Sequence, residues 1–160
     1  MRIAATGLAA LALGGCAGLG APNPISPTVA RLSVSSPAFA AGHMIPAQFT
    51  CRGQDVSPPL RWSGVPAAGR EIQIVMRDPD APGGNFIHWW LVGIPASTRA
   101  LGAGEIPFGA RSLRNGFGTV GYRGPCPPAG AAHRYVITVS AIDGVALVGR
   151  GTLVGTYARR

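Results

Sequence analysis

Two stretches of the chain carry most of its chemically versatile side chains. The first, "DPDAPGGNFIHWW" (78–90), sets Asp78 and Asp80 ahead of Pro82 and a glycine pair, then places His88 beside two tryptophans. The second, "GYRGPCPPAGAAHRY" (121–135), combines Gly124 and Cys126 in a glycine- and proline-rich run with His133 and Tyr135. Imidazole and phenol donors, together with the backbone N–H groups of such a run, make an anion cradle. A carboxylate that accepts from one ring nitrogen fixes a histidine's tautomer and frees the other nitrogen for a ligand. The same carboxylates could receive an ammonium group a few bonds from a phosphate, which suits a zwitterionic head group. Metal-assisted hydrolysis would use the same residues, but the compact H-x-x-x-H and C-x-x-C spacings are missing, so no metal is assigned. Nucleophilic catalysis is weaker still, since the chain has no G-x-S-x-G. The plainest alternative leaves each histidine as a satisfied core or turn residue.

These side chains need a frame, and the pattern around them is strand and turn. "EIQIVMR" (71–77) alternates apolar and polar residues, so the strand it predicts delivers Asp78 at its mouth. Because Pro79 follows, Asp78 itself should be extended. "NFIHWWLVGI" (85–94) is apolar on both faces, as a central strand buried on both sides would be. "HRYVITVSAID" (133–143) is β-branched and free of Gly and Pro, and it places His133 and Tyr135 on one face. "RLSVSSPAF" (31–39) and "MIPAQFT" (44–50) read as further short strands, and "GTLVGTYAR" (151–159) as a closing one. Ala81–Pro82 is a candidate cis peptide bond. With 24 glycines and 15 prolines interrupting every long window, no capped amphipathic helix emerges. The fold class expected is all-β, an antiparallel two-sheet β-sandwich with little helix.

The totals narrow the partners. A chain of 160 residues with 47% hydrophobic and 12% charged residues is an ordered globular composition that fits one domain. The net charge of +8 comes from 14 arginines and no lysine against six acids. Those arginines are scattered from Arg2 to Arg160 without a basic run, so nucleic acid is not the partner they indicate.

The amino terminus reads as an address. "MRIAATGLAALALGGC" has a basic start and an apolar run of Ile3 to Leu13, too short to span a bilayer. It ends in Leu-Gly-Gly-Cys, which resembles a bacterial lipobox. The expected division is a lipoprotein signal peptide over 1–15, a Pro/Gly-rich tether over 16–30 beginning at a lipidated Cys16, and a domain over 31–160. The expected location is the cell envelope of a bacterium, with a membrane partner reached through the lipid anchor. An ordinary signal peptide with an incidental cysteine is the alternative. With Cys16 lipidated, Cys51 and Cys126 remain, and export to an oxidising compartment allows them to pair. Two buried free thiols are the other option.

Three long segments in order, "FTCRGQDVSPPLRWSGVPA" (49–67), "DPDAPGGNFIHWWLVGIPA" (78–96) and "GYRGPCPPAGAAHRYVITVSAID" (121–143), resemble the phosphatidylethanolamine-binding proteins in their bacterial Raf-kinase-inhibitor-like branch. The resemblance implies a β-sandwich with a small anion pocket for phosphate-like groups at one end. Carried over by position, the pocket includes Asp78, Asp80, Pro82, His88, His133 and Tyr135, with backbone groups of Gly124 and Cys126. It also implies a binding or regulatory protein and not an enzyme, with no cofactor. Its ligand would be a small phosphorylated or zwitterionic molecule. An inhibitor or binding module for an envelope protein such as a protease is the second reading, and hydrolysis in the same pocket the third. The chain departs from the family pattern at Gly93, where relatives usually have Asn, and at Ser140, where they usually have an aromatic. It also runs from "SAID" almost directly into its last strand, so the C-terminal region is expected to be shortened by about one helix.

Overall fold

A computed structural model describes residues 28–159. The signal peptide, Cys16 and most of the expected tether lie outside the described residues. Among the described residues, nine strands form two sheets: β1 (Ala30–Arg31), β2 (Ser33–Ser35), β3 (Leu60–Ser63), β4 (Glu71–Asp78), β5 (Phe86–Pro95), β6 (Ala100–Leu101), β7 (Arg111–Ser112), β8 (Ala132–Asp143) and β9 (Ala146–Ala158). The large sheet runs β1-β9-β8-β4-β5-β7 and the small one β2-β3-β6. All neighbours are antiparallel except β1 with β9. The all-β class and the two-sheet arrangement are as the strand-and-turn pattern predicts.

The core lies between the sheets. On β4 every second residue is buried, giving Ile72, Ile74 and Met76 in one stripe that ends in Asp78. On β8 the matching stripe begins with His133 and Tyr135 and continues through Ile137, Val139 and Ala141. Leu60 and Trp62 of β3 close it from the small sheet. The polar side chains are thus the last members of the core stripes, at the point where the ladder between β4 and β8 stops after Arg77 and Val136.

Several local expectations are corrected. Segment 31–39 is not one strand: β1 joins the large sheet and β2 the small one, with buried Leu32 at the crossing. Segment 44–50 contributes an isolated bridge at Met44 and then a 3-10 turn over Ala47–Phe49, because Pro46 opens the turn and its carbonyl receives the Phe49 N–H. The Ala81–Pro82 bond is trans. The strand β5 is not central, since only the two-residue β7 lies beyond it. Its two-sided apolar appearance comes in part from two β-bulges against β4. Gly93 sits in one of them at φ 75°, and an added Cβ there would lie 2.9 Å from the Gly109 carbonyl. A left-handed residue is needed, which Gly supplies and Asn tolerates. The direct run past "SAID" is a long hairpin in which β9 pairs with β8 from Asp143 back to Ala132.

Candidate functional site

A cavity of about 210 Å³ opens where the β4 and β8 stripes end, lined by Asp78, Ala81, Pro82, Phe86, His88, Phe117, Cys126, Pro127, Pro128, His133 and Tyr135. It is smaller than the roughly 300 Å³ at which sites for drug-sized ligands begin, so it accepts a group of a few heavy atoms.

Its floor is polar and mostly sealed. His133 donates Nδ1–H to Asp78 Oδ2 at 2.8 Å, and both side chains are almost fully buried. The other Asp78 oxygen accepts the Asp80 N–H at 2.8 Å, which holds the turn after β4. The carboxylate is therefore occupied on both oxygens, and it positions His133 more than it offers itself to a ligand. Beside this pair, the Tyr135 hydroxyl is buried close to the Asp78 carboxylate but makes no well-formed hydrogen bond among the described residues. An unpartnered buried polar group is costly, and few survive in folded proteins.

His88 arrives by a different device. Met76 pairs with Trp89 and Arg77 with Ile87, so His88 is the extra residue of a β-bulge. The bulge lets two consecutive residues, His88 and Trp89, both turn inward. His88 donates Nδ1–H to the Arg123 carbonyl at 2.7 Å, and a carbonyl can only accept, so the neutral ring has its proton on Nδ1. That leaves Nε2 as the accepting atom of the neutral ring. Burial pushes the His88 pKa below the ordinary histidine value, against the raising effects of the Arg123 carbonyl and Asp78. Burial, and then the Asp78 charge, raise the Tyr135 phenol well above its usual range, so Tyr135 keeps its proton and can donate it.

The second wall is the loop "GPCPP", held by the segment just after the 3-10 turn. The Tyr122 hydroxyl donates to the Phe49 carbonyl at 2.6 Å, Cys51 N–H donates to the Pro125 carbonyl, and Asp55 Oδ1 accepts the Gly124 N–H at 2.7 Å. Arg123 Nε lies 3.4 Å from Asp55 Oδ2. A disulfide joins Cys51 to Cys126 across the same seam, which is the paired option of the two that the cysteine count leaves open. Gly124 is required there because a Cβ would meet the Phe49 carbonyl oxygen at 2.3 Å.

The third wall is aromatic. Phe86, His88 and Phe117 meet edge to face with centroids 4.7 to 5.4 Å apart, and the Arg123 guanidinium lies 5.1 Å over Phe117. Asn115 fixes the loop that carries Phe117, accepting from the N–H groups of Phe117 and Thr119 and donating to the Gly121 carbonyl.

Of the residues the sequence singles out, Asp78, Pro82, His88, Cys126, His133 and Tyr135 line the cavity. Asp80 and Gly124 do not. Asp80 faces Arg134, accepting from its N–H, Nε and Nη2 at 2.6 to 2.9 Å, and these bonds pull its carboxyl far below the usual range. The Gly124 N–H is already given to Asp55. Sequence reasoning misses Phe86, Phe117, Pro127 and Pro128 as lining residues, and Asp55 and Asn115 as their supports. Pro127 and Pro128 stand inside the quoted "GPCPP", whereas Phe117 stands in a loop with no motif around it.

The fold places the chain in a class known from its relatives. The family model described as phosphatidylethanolamine-binding protein matches residues 35–157, and the chain belongs to that family. A Mycobacterium tuberculosis protein named as a lipoprotein, LppC, is 41% identical, with 86% of this chain and 77% of the relative covered. Among solved structures, Escherichia coli YbcL, titled a member of the mammalian family, superposes with a TM-score of 0.75 at 28% identity, covering 81% of this chain and 99% of YbcL. The Chlamydia trachomatis homologue CT736 gives 0.73 at 31% identity, covering 82% and 99%.

Proposed function

We propose that this protein binds the phosphate group of a small ligand or head group in the cavity between Asp78, His88, His133 and Tyr135, without transforming it. Membership in a family of binding proteins supports the coarse reading. The observation that carries the finer one is the Tyr135 hydroxyl, buried with no well-formed hydrogen bond among the described residues, beside two histidines whose Nδ1–H groups are already committed. All three residues line the same cavity of about 210 Å³, which has room for a phosphate group. With an anion bound, His133 stands between Asp78, which accepts its Nδ1–H, and the ligand. Tyr135 donates beside it, and the apolar walls exclude water, which strengthens each bond.

The test is calorimetric titration with inorganic phosphate and O-phosphoethanolamine. The wild-type protein binds, and the His88→Ala, His133→Ala double variant loses at least tenfold in affinity. Unchanged affinity in a folded double variant refutes the reading.

We further infer an envelope lipoprotein, anchored through Cys16. The lipobox-like Leu-Gly-Gly-Cys and the lipoprotein name of the LppC relative support this. Fractionation checks it: Cys16→Ser moves the protein out of the membrane fraction, and retention there would contradict the anchor.

A further inference from the structure

The cavity's two histidines both commit Nδ1–H, but to partners of different charge. His133 gives Nδ1–H to a carboxylate, Asp78, whereas His88 gives Nδ1–H to a neutral carbonyl, that of Arg123. We propose that His88 Nε2 accepts a proton from the ligand, so that the pocket selects a phosphate group bearing an O–H, a phosphomonoester or inorganic phosphate, over a phosphodiester or a sulfate. This rests on the phosphate reading above and adds its substrate class.

The proton inventory around His88 decides which oxygen it can face. With Nδ1–H committed to the Arg123 carbonyl, the neutral ring presents a lone pair at Nε2. Burial disfavours adding a second proton. The charged and titratable groups around the ring are Asp78 at the end of β4, Asp55 and Arg123 across the brace, and His133 and Tyr135 on β8. Asp55 has its carboxylate turned to Arg123 and Gly124, and Asp78 has both oxygens occupied, so neither closes on His88 Nε2. A lone pair facing a ligand oxygen that also carries only lone pairs is repulsive. One proton must lie between them. A phosphomonoester, with a second pKa near about 6, supplies it at little cost around neutral pH. A phosphodiester or sulfate has none to give, so it binds only when His88 itself is protonated. The same comparison separates the two sources of a phosphate group: an intact phospholipid head group is a diester, whereas a water-borne metabolite phosphate is a monoester.

The experiment is titration of the wild-type protein with inorganic phosphate, sulfate, O-phosphoethanolamine and glycerophosphoethanolamine at pH 7.5 and pH 5.5. Phosphate and sulfate have nearly the same shape, so that pair isolates the proton, and the other pair isolates the ester. At pH 7.5 phosphate and O-phosphoethanolamine should each bind at least about tenfold more tightly than sulfate and glycerophosphoethanolamine. The gap should shrink at pH 5.5, where uptake of a proton by His88 together with the anion becomes easier and lets the ring donate to either kind of oxygen. His88→Gln, whose amide can donate, should narrow the gap at pH 7.5. Equal binding of phosphate and sulfate at pH 7.5, or a preference that does not change with pH, would overturn the inference while leaving phosphate binding in place. Failure of all four ligands to bind would overturn both. If His88→Gln does not fold, the wild-type pH series decides alone.

Discussion

Tyr135 and His88 show most clearly how this site departs from an ordinary core. Leaving the Tyr135 hydroxyl buried and unpaired costs on the order of 1–3 kcal/mol. Tyr135→Phe should therefore hold or raise the stability of the ligand-free protein, by up to about 1 kcal/mol, while weakening phosphate binding about tenfold. Denaturant unfolding and calorimetry together check this, and a variant that loses stability and keeps affinity would contradict it. His88 makes stability depend on pH. Its folded-state pKa is depressed by burial, so below about pH 6.5 the unfolded chain takes up a proton that the folded chain does not. Its contribution is complete above that pH and is lost as pH falls toward the depressed value. Ligand-free protein should unfold at lower denaturant at pH 5 than at pH 7.5, and His88→Gln should flatten that slope. The identity of these residues was legible in the sequence because charged, imidazole and phenol groups stand out in apolar strands. Their roles were not. The tautomer of His88 depends on a carbonyl 35 residues away, and Asp80 belongs to Arg134 because of a contact across 54 residues.

At the scale of elements, the wall around Cys126 is held less by its own conformation than by the segment beneath it. Asp55 accepts Gly124 N–H and pairs with Arg123 although it lies outside the cavity. Asp55→Ala should destabilise the fold by about 2 kcal/mol, the range for hydrogen bonds to a charged group, and should weaken phosphate binding severalfold. Denaturant unfolding with a parallel titration measures both, and loss of stability with intact binding would show that the loop does not need this brace. The Cys51–Cys126 cross-link joins residues 75 apart and contributes roughly 4–5 kcal/mol by the chain-entropy account. β4 and β8 were legible from alternation and β-branching. The bulge at His88 was not, because a bulge is defined by the partner strand's register. Reading β5 as a two-sided central strand took its consecutive apolar residues for burial on both faces, when a doubled inward residue explains part of the pattern.

Across the whole molecule, the cavity and the start of the domain lie at opposite ends. Ala30 pairs with Gly149, which is level with Ala141 and Ile72, while the cavity gathers around His133 and Asp78. Eight residues of β8 separate those levels, roughly 26 Å at strand rise. Because β1 runs parallel to β9, the chain enters from beyond that far end, where Val29, Val145 and Leu147 are exposed. If Cys16 anchors the protein, the cavity should face away from that membrane. A fluorophore on Val145→Cys in lipidated protein should be quenched by lipid-borne quenchers, and one on Phe117→Cys should not; the reverse would contradict this orientation. The two-sheet plan was readable from the turn-rich pattern, but this polarity needs the β1–β9 pairing, which no local signal encodes.

The central claim is that His88, His133 and Tyr135 together receive a phosphate group. The most direct measurement is nuclear magnetic resonance of the histidine ring nitrogens during titration with inorganic phosphate. In the free protein His88 should show the Nδ1–H tautomer, and phosphate should shift the Nε2 signals of His88 and His133 together, at one saturating concentration, with exposed His43 unmoved. Phosphate shifts confined to His43, or absent at both cavity rings, would contradict the account.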